Sequence, residues 1–80
     1  MLSKRPKDMR RHRVDSTAVN SVGYDPATRT LEIEFAEGRI YQYFGVPRDE
    51  YQALLTSDSI GTYVNTILKP KHLDCREVGL

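Results

Sequence analysis

The chain has 80 residues, of which 39% are apolar and 29% are charged, with a formal net charge of +1. This length fits one small domain, and the composition is typical of a globular chain rather than a disordered one. No apolar run approaches the ~20 residues that cross a bilayer, and no secretory signal is visible, so we expect a cytoplasmic protein without membrane contact. The single cysteine, Cys75, excludes an intrachain disulfide and a thiolate metal cluster.

Basic residues are concentrated at the N-terminus. Residues 1–13 hold six of the 12 Lys and Arg residues but one of the 11 acids, and they show no helical or strand period. We therefore divide the chain into a flexible basic arm, residues 1–13, and a folded domain, residues 14–80. The arm either tethers nucleic acid by neutralising phosphates or is a solvated terminus. Its basic residues are Lys4, Arg5, Lys7, Arg10, Arg11 and Arg13.

The first half of the domain predicts three strands. Residues 18–24 are a first strand with imperfect alternation, and Asp25-Pro26-Ala27-Thr28 is a strong turn signal. Residues 30–35 alternate clearly, with Leu31, Ile33 and Phe35 on one face and Glu32 and Glu34 on a face that we expect to meet solvent. Gly38 suits a hairpin into the run 39–47, which Pro47 ends. Together these strands form an antiparallel meander.

The second half predicts two helices. Pro47 suits the first position of a helix, where Asp49 and Glu50 favour the positive end of its dipole. A second helix follows the caps around Ser59 and ends near Lys69, because Pro70 prevents continuation. Residues 72–78 fit a short fourth strand. The fold class is thus α+β, a three-stranded meander covered by two helices in the order βββαα. The apolar stripe of the second helix comprises Ile60, Tyr63, Val64, Ile67 and Leu68.

Several segments together resemble the KTSC domain, a small bacterial and phage domain named for the C-terminus of some lysyl-tRNA synthetases. The resemblance covers about residues 14–70, and its centre is a tyrosine, any residue, tyrosine motif that falls on Tyr41 and Tyr43. The synthetase association implies RNA binding, although the family has no established function. The segments are Ser16-Thr17, Val22-Gly23-Tyr24-Asp25, Leu31 to Phe35 with Gly38, Tyr41-Gln42-Tyr43, Val46-Pro47 and Ser59-Ile60-Gly61-Thr62-Tyr63.

The two tyrosines are the main candidate site. Tyr41 and Tyr43 share one strand face, and Arg39 lies two residues earlier on that face. If the face meets solvent, the rings form a platform on which unpaired bases stack, with the guanidinium on a phosphate or a base. The alternative is that the helices cover this face and both rings are structural.

Other constellations favour binding over catalysis. Ser59 and Gly61 at a helix N-terminus are candidates for anion binding, against the simpler roles of a cap and a close contact. His72 and Cys75 lack a third group that would orient the imidazole as a catalytic base. We expect no enzyme activity, cofactor or metal site.

We therefore predict a small non-catalytic module that binds RNA or another nucleic acid. Its candidate residues are Arg39, Tyr41, Tyr43, Arg5, Arg10, Arg11 and Arg13. The alternatives are a protein-interaction or homo-oligomerisation module, which includes one encoded by a phage, and a site for a small nucleotide.

Overall fold

The structure is a computed structural model that describes residues 11–78. It consists of one antiparallel sheet of five strands and of two helical segments. None of the helices among these residues is long and apolar enough to span a membrane. The strands are β1 (His12–Arg13), β2 (Val19–Asp25), β3 (Thr30–Phe35), β4 (Ile40–Tyr43) and β5 (Cys75–Val78). The first helix is α1 (Arg48–Thr56), and the second segment joins α2 (Ile60–Tyr63), a π-helical turn (Val64–Leu68) and α3 (Lys69–Lys71).

The order of the strands in the sheet follows the order of the chain, β1-β2-β3-β4-β5, and every neighbouring pair is antiparallel. The predicted meander is β2 to β4, and the weakly patterned segment 72–78 supplies β5. Three strands are too few, because β1 lies in residues that we assigned to the arm. It escaped prediction since a strand of only two residues, His12 and Arg13, carries no period. β1 pairs with β2 through main-chain hydrogen bonds. The Val14 amide extends this pairing by donating to the Asn20 carbonyl at 3.1 Å.

The turn signals are confirmed. Asp25 accepts a hydrogen bond from the Ala27 amide at 3.0 Å and another from the Thr28 hydroxyl at 3.1 Å, which fixes the turn between β2 and β3. Gly38 adopts a φ of +101° in the hairpin before β4, a conformation that glycine reaches without a steric penalty. The Gly38 hairpin sets the register that aligns Leu31 with Tyr43 and Ile33 with Tyr41.

One face of the sheet and the helices enclose the core. Residues directly opposite each other on neighbouring strands point to the same face, so the apolar side chains of β2, β3 and β4 form one layer. Burying each large apolar side chain contributes ~1.5–3 kcal/mol. The core comprises Val19, Val22, Leu31, Ile33, Tyr43, Val46, Leu54, Ile60, Val64 and Leu68.

The π-helical turn changes the buried face of the second helical segment. The Lys69 amide donates to the Val64 carbonyl, five residues back, so this turn contains one residue more than an α-helical turn. As a result Ile67 is 44% exposed, whereas the regular α-helical stripe predicted it in the core. The helix also continues to Lys71 past Pro70, and the expected end at Lys69 is wrong.

The other face of the sheet carries a polar network rather than freely solvated acids. Glu32 is buried and accepts hydrogen bonds from the Arg11 guanidinium and, at 2.9 Å, from the Gln42 amide. Ser21 donates to Glu34 at 2.9 Å and accepts from Arg11 Nε at 3.0 Å. The expectation that Glu32 and Glu34 only meet solvent is therefore wrong. Arg11 links the short strand end to the middle of the sheet.

Candidate ligand-binding groove

Tyr41 and Tyr43 project from β4 onto the face that the helices cover. The predicted alternation is confirmed, since both rings share that face, but the helices and not solvent lie above it. Tyr43 is 3% exposed, and burial, followed by the influence of Cys75 and Tyr41, raises the pKa of its hydroxyl to about 12. Tyr41 is half-buried. The solvent-facing platform of two rings is therefore not formed, and Tyr41 is the ring of the pair that a ligand can reach.

A groove of about 670 Å³ lies between the sheet and the second helical segment. Its floor consists of the aromatic side chains of Phe35, Tyr41 and Tyr43. This volume is within the range of ~300–1,000 Å³ that small-molecule sites in proteins occupy. One wall is a stripe of the helical segment at close to one-turn spacing: Gly61, Asn65, Lys69 and His72. The rim and the sheet side add Ala18, Ala36, Glu37, Leu73 and Cys75.

The aromatic floor has a defined internal geometry. The rings of Phe35 and Tyr41 meet edge to face, with centroids 5.9 Å apart and planes at 79°. Those of Tyr41 and Tyr43 are offset, with centroids 6.4 Å apart and planes at 26°. The ammonium of Lys69 lies 5.0 Å from the centroid of the Phe35 ring, a distance at which a cation is attracted to an aromatic face. The groove thus combines aromatic surface with a positive charge.

His72 is held in the wall of the groove by a buried carboxylate. Its Nε2 lies 2.8 Å from Oε1 of Glu50, and the side chains of both residues are at least nine-tenths buried. Lys71 Nζ is 3.6 Å from the same oxygen, and Oε2 of Glu50 has no hydrogen-bond partner among the described residues. Sequence reasoning missed this pair because 22 residues separate its members. The third group that orients His72 is therefore present, and it is Glu50.

Arg39 lies beside Tyr41, as the sequence predicted, and next to Glu37, which lines the groove. The Tyr41 side chain first, and then the carboxylates of Glu77 and Glu37, raise the pKa of its guanidinium. Arg39 is exposed, and its Nε is 4.0 Å from the Glu37 carboxylate. Arg39 therefore places a positive charge next to the lining of the groove, on the side of Tyr41 and Glu37.

The basic residues of the arm that the structure describes lie on the opposite face. Arg11 is bound to Glu32 and Ser21, and Arg13 lies opposite Ser21 in the ladder, so both belong to the polar face of the sheet. Arg5 and Arg10 are outside the described residues. The structure brings together Arg39, Tyr41 and Tyr43, and it separates them from Arg11 and Arg13.

Ser59 and Gly61 have clear structural roles. Ser59 caps the second helical segment by accepting a hydrogen bond from the Thr62 amide at 3.2 Å. A Cβ on Gly61 would lie 2.8 Å from Cβ of Ala18, so glycine allows the helix to approach the sheet. The hollow at this helix end, about 390 Å³, is also lined by the acids Asp15 and Asp58, which oppose an anion. Anion binding by Ser59 and Gly61 stays a prediction.

Comparisons with known proteins agree with the resemblance that the sequence suggested. The profile of the KTSC domain matches residues 15–72, which include β2 to β4 and both helical segments. The chain belongs to the KTSC domain family. The crystal structure of a KTSC domain protein from Yersinia pestis has the same fold, with a TM-score of 0.81 and 42% identity over 89% of this chain and 99% of that chain.

Two further relatives show how the KTSC domain occurs. An uncharacterised protein of Stutzerimonas stutzeri is 44% identical over 80% of this chain and 90% of its own length. A lysine–tRNA ligase of a Nostoc species is 34% identical over 69% of this chain, but the match covers 10% of the ligase. The domain is thus found both as most of a small protein and as a minor part of a large enzyme.

The two tyrosines of the KTSC motif have different structural roles. Tyr43 belongs to the core, whereas Tyr41 contributes to the core and to the surface of the groove. Phe35, Lys69 and His72 complete the lining from distant parts of the chain. Among the described residues, no group of three His, Cys, Asp or Glu side chains is placed to hold a metal ion.

Proposed function

We propose that this KTSC domain is a non-catalytic module that binds single-stranded nucleic acid in the groove over Phe35 and Tyr41. RNA is the first candidate ligand. The observation that carries this function is an aromatic floor next to a lysine ammonium in a groove of about 670 Å³. Unpaired bases stack on aromatic side chains, and phosphates are bound by Lys and Arg, so the two kinds of group together fit a nucleotide unit.

The contact with bases is assigned to Tyr41 and Phe35. Both are half-buried and line the groove, whereas Tyr43 is too buried to receive a base and supports Tyr41 from below. Stacking on an aromatic ring contributes ~1–3 kcal/mol per base. The concave site favours one inserted base over the two stacked bases that a flat platform of both tyrosines would bind.

The contacts with the phosphate backbone are assigned to Lys69 and Arg39. Lys69 forms no ion pair with any of the residues 11–78, and its position over Phe35 holds the ammonium at the groove. Arg39 stands at the side of Tyr41, where a strand leaving the groove would pass. The basic residues of the arm add attraction that does not depend on sequence, and Arg11 adds least because Glu32 already neutralises it.

The relatives supply a second line of support. The Nostoc ligase that contains a matching segment is named for lysine and tRNA, so a domain similar to this one exists within a protein that handles RNA. Because the match covers 10% of that ligase, its activity is not carried over to this chain. The cytoplasmic location expected from the sequence is consistent with an RNA ligand and stays a prediction.

A fluorescent single-stranded RNA titrated with the whole chain at low salt tests this function. Tyr41→Ala is expected to weaken binding about tenfold, and Tyr63→Ala, a half-buried tyrosine outside the groove lining, is its matched control. Circular dichroism of both variants checks the fold.

Two charge variants locate the phosphate contact. Lys69→Ala removes a positive charge from the groove, and Arg48→Ala removes one from an exposed site on α1 that does not line it. We expect a loss of affinity in the first variant and little change in the second. Absence of salt-dependent RNA binding in the unchanged protein would refute the function, and raised thermal stability with free nucleotides alone would favour a small-nucleotide site instead.

The outer edge of β5 supports a second candidate, homo-oligomerisation. Among the described residues β5 pairs with β4 alone, and Cys75, Arg76 and Glu77 are exposed, so its other side offers free backbone groups to a further strand. Light scattering coupled to gel filtration distinguishes the candidates, because a multimer without bound nucleic acid favours pairing of strands.

A further inference from the structure

The imidazole of His72 has one nitrogen engaged and one available. Nε2 is 2.8 Å from the Glu50 carboxylate, which selects the tautomer that donates its hydrogen to Glu50. Nδ1 forms no hydrogen bond with any residue of the described part of the chain, and His72 is one of the residues that line the groove. His72 therefore offers Nδ1 to a ligand while Glu50 fixes the orientation of the ring.

Lys69 and His72 lie on the same side of the helical segment. They are three residues apart at its C-terminal end, a spacing that places side chains next to each other, and both line the groove. The ammonium of Lys69 has no carboxylate partner within residues 11–78, and the carboxylate of Glu37, which also lines the groove, lies 4.0 Å from Arg39. This end of the groove is therefore suited to an anion.

Building on the nucleic-acid binding proposed above, we propose that Lys69 and His72 form the phosphate subsite of the groove, with Glu50 as the positioning residue behind His72. When the ring is neutral, Nδ1 is a hydrogen-bond acceptor, so it forms no hydrogen bond with a phosphate oxygen, which is also an acceptor. Once protonated, it donates to a phosphate oxygen while Nε2–H continues to donate to Glu50. Binding of the phosphate is then coupled to the uptake of one proton.

The groups around His72 determine the sign of this coupling. The Glu50 carboxylate on α1 attracts an imidazolium, whereas the ammonium groups of Lys69 and Lys71 oppose it. Tyr41 and Tyr43 on β4, Cys75 on β5 and the acidic residue Glu37 also line this groove. A bound phosphate offsets the ammonium groups, so the ligand favours the protonated ring and affinity rises as the pH falls.

The test is a titration of the whole chain with a fluorescent oligouridylate between about pH 8 and 5.5 at constant ionic strength. Neither the uracil bases nor the phosphodiesters of this probe titrate in that range, whereas histidine does. A charge-assisted hydrogen bond predicts an affinity about tenfold higher at the acidic end. His72→Gln should remove this increase. The matched control is His12→Gln, at the other histidine of the chain, which is exposed, and this variant should retain the increase.

Calorimetry of the unchanged protein provides a readout that does not depend on the folding of a variant. Titrations in two buffers of different ionisation enthalpy should show the uptake of up to about half a proton per bound probe, the amount that a tenfold affinity change through one group implies, and Glu50→Gln should reduce it. Binding that is independent of pH, or an acidic increase that persists in His72→Gln, would overturn the subsite and leave the nucleic-acid function standing. Absence of binding at every pH would overturn both.

Discussion

Gly61 is the residue at which helix propensity and packing oppose each other. Alanine is a better helix former than glycine by ~1 kcal/mol, but its Cβ would lie 2.8 Å from Cβ of Ala18, where neither side chain can move aside. Because overpacking costs ~1–3 kcal/mol, we expect Gly61→Ala to lower the free energy of unfolding. Urea denaturation measures the change.

The partner of that contact supplies the control. Ala18→Gly removes the opposing methyl group, so the double variant should recover much of the loss caused by Gly61→Ala. If the two substitutions are simply additive, the close approach of the helix to the sheet at Ala18 is not what requires glycine.

Tyr43 couples the stability of the fold to alkaline pH. Burial raises the pKa of its hydroxyl to about 12, whereas a tyrosine in an unfolded chain ionises near pH 10. Between these values the unfolded state binds fewer protons, so the contribution of Tyr43 is present below pH 10 and is lost as the pH rises towards 12.

Tyr43→Phe should therefore unfold with a smaller dependence on pH. The free energy of unfolding is measured at about pH 8 and pH 11 for both proteins, and the loss between the two values should be smaller in the variant. Some loss remains, because burial also raises the pKa of Tyr51 and Tyr63. An equal loss in both proteins would show that the Tyr43 hydroxyl is not the group that resists ionisation.

At the level of elements, the side chain of Arg11, the residue before β1, reinforces the main-chain pairing of β1 with the sheet. Its guanidinium satisfies the buried carboxylate of Glu32, which would otherwise retain the Gln42 amide as its side-chain partner. Removing one partner of a buried charge is costly, so Arg11→Ala should destabilise the protein by ~1–3 kcal/mol in urea denaturation.

Arg13→Ala is the matched control for this contact. Arg13 lies in β1, two residues after Arg11 and on the same face, is exposed, and forms no ion pair with another described residue, so its replacement should change stability by less than ~0.5 kcal/mol. Equal effects of the two substitutions would mean that net charge, and not the contact with Glu32, determines the result.

The elements differ in how far the sequence predicts them. The alternation of Leu31, Ile33 and Phe35 and the cap at Ser59 gave β3 and the start of the second helical segment correctly, because these signals are local. The π-helical turn has no local signal, and Ile67 was therefore misplaced. Alternation also shows that Tyr41 and Tyr43 share a face, but packing decides that the helices cover it.

At the level of the whole molecule, the charge is divided between the N-terminal arm and an acidic body. Deleting residues 1–10 removes Lys4, Arg5, Lys7 and Arg10 and keeps β1 with its Arg11 contact. For single-stranded RNA we expect the slope of log affinity against log salt concentration to become less negative by up to about 3, since each of the four lost phosphate contacts contributes ~0.7 to the slope.

Tyr41→Ala is the complementary variant, because it should lower the affinity while leaving the salt dependence unchanged. A deletion that lowers the affinity with no change of slope would contradict an electrostatic role of the arm.

The candidate site shows why the groove is only partly predictable. Arg39, Tyr41 and Tyr43 are close in sequence, so one strand pattern groups them. Lys69 and His72 join them through the return of the helical segment over the sheet, and Glu50 joins through a contact with a residue 22 positions away. Such contacts leave no periodic signal in the chain.

The strand order has a kinetic consequence. Three of the four strand pairings join strands that are consecutive along the chain without an intervening helix, whereas both helical segments separate β5 from its partner β4 along the chain. Contacts between distant parts of a chain form late, and edge elements open first in the native state. Amide hydrogens of β5 should therefore exchange faster than those of the central strands β2 to β4, and transient fraying at this end would dismantle the rim at Leu73 and Cys75 while the central meander stays intact.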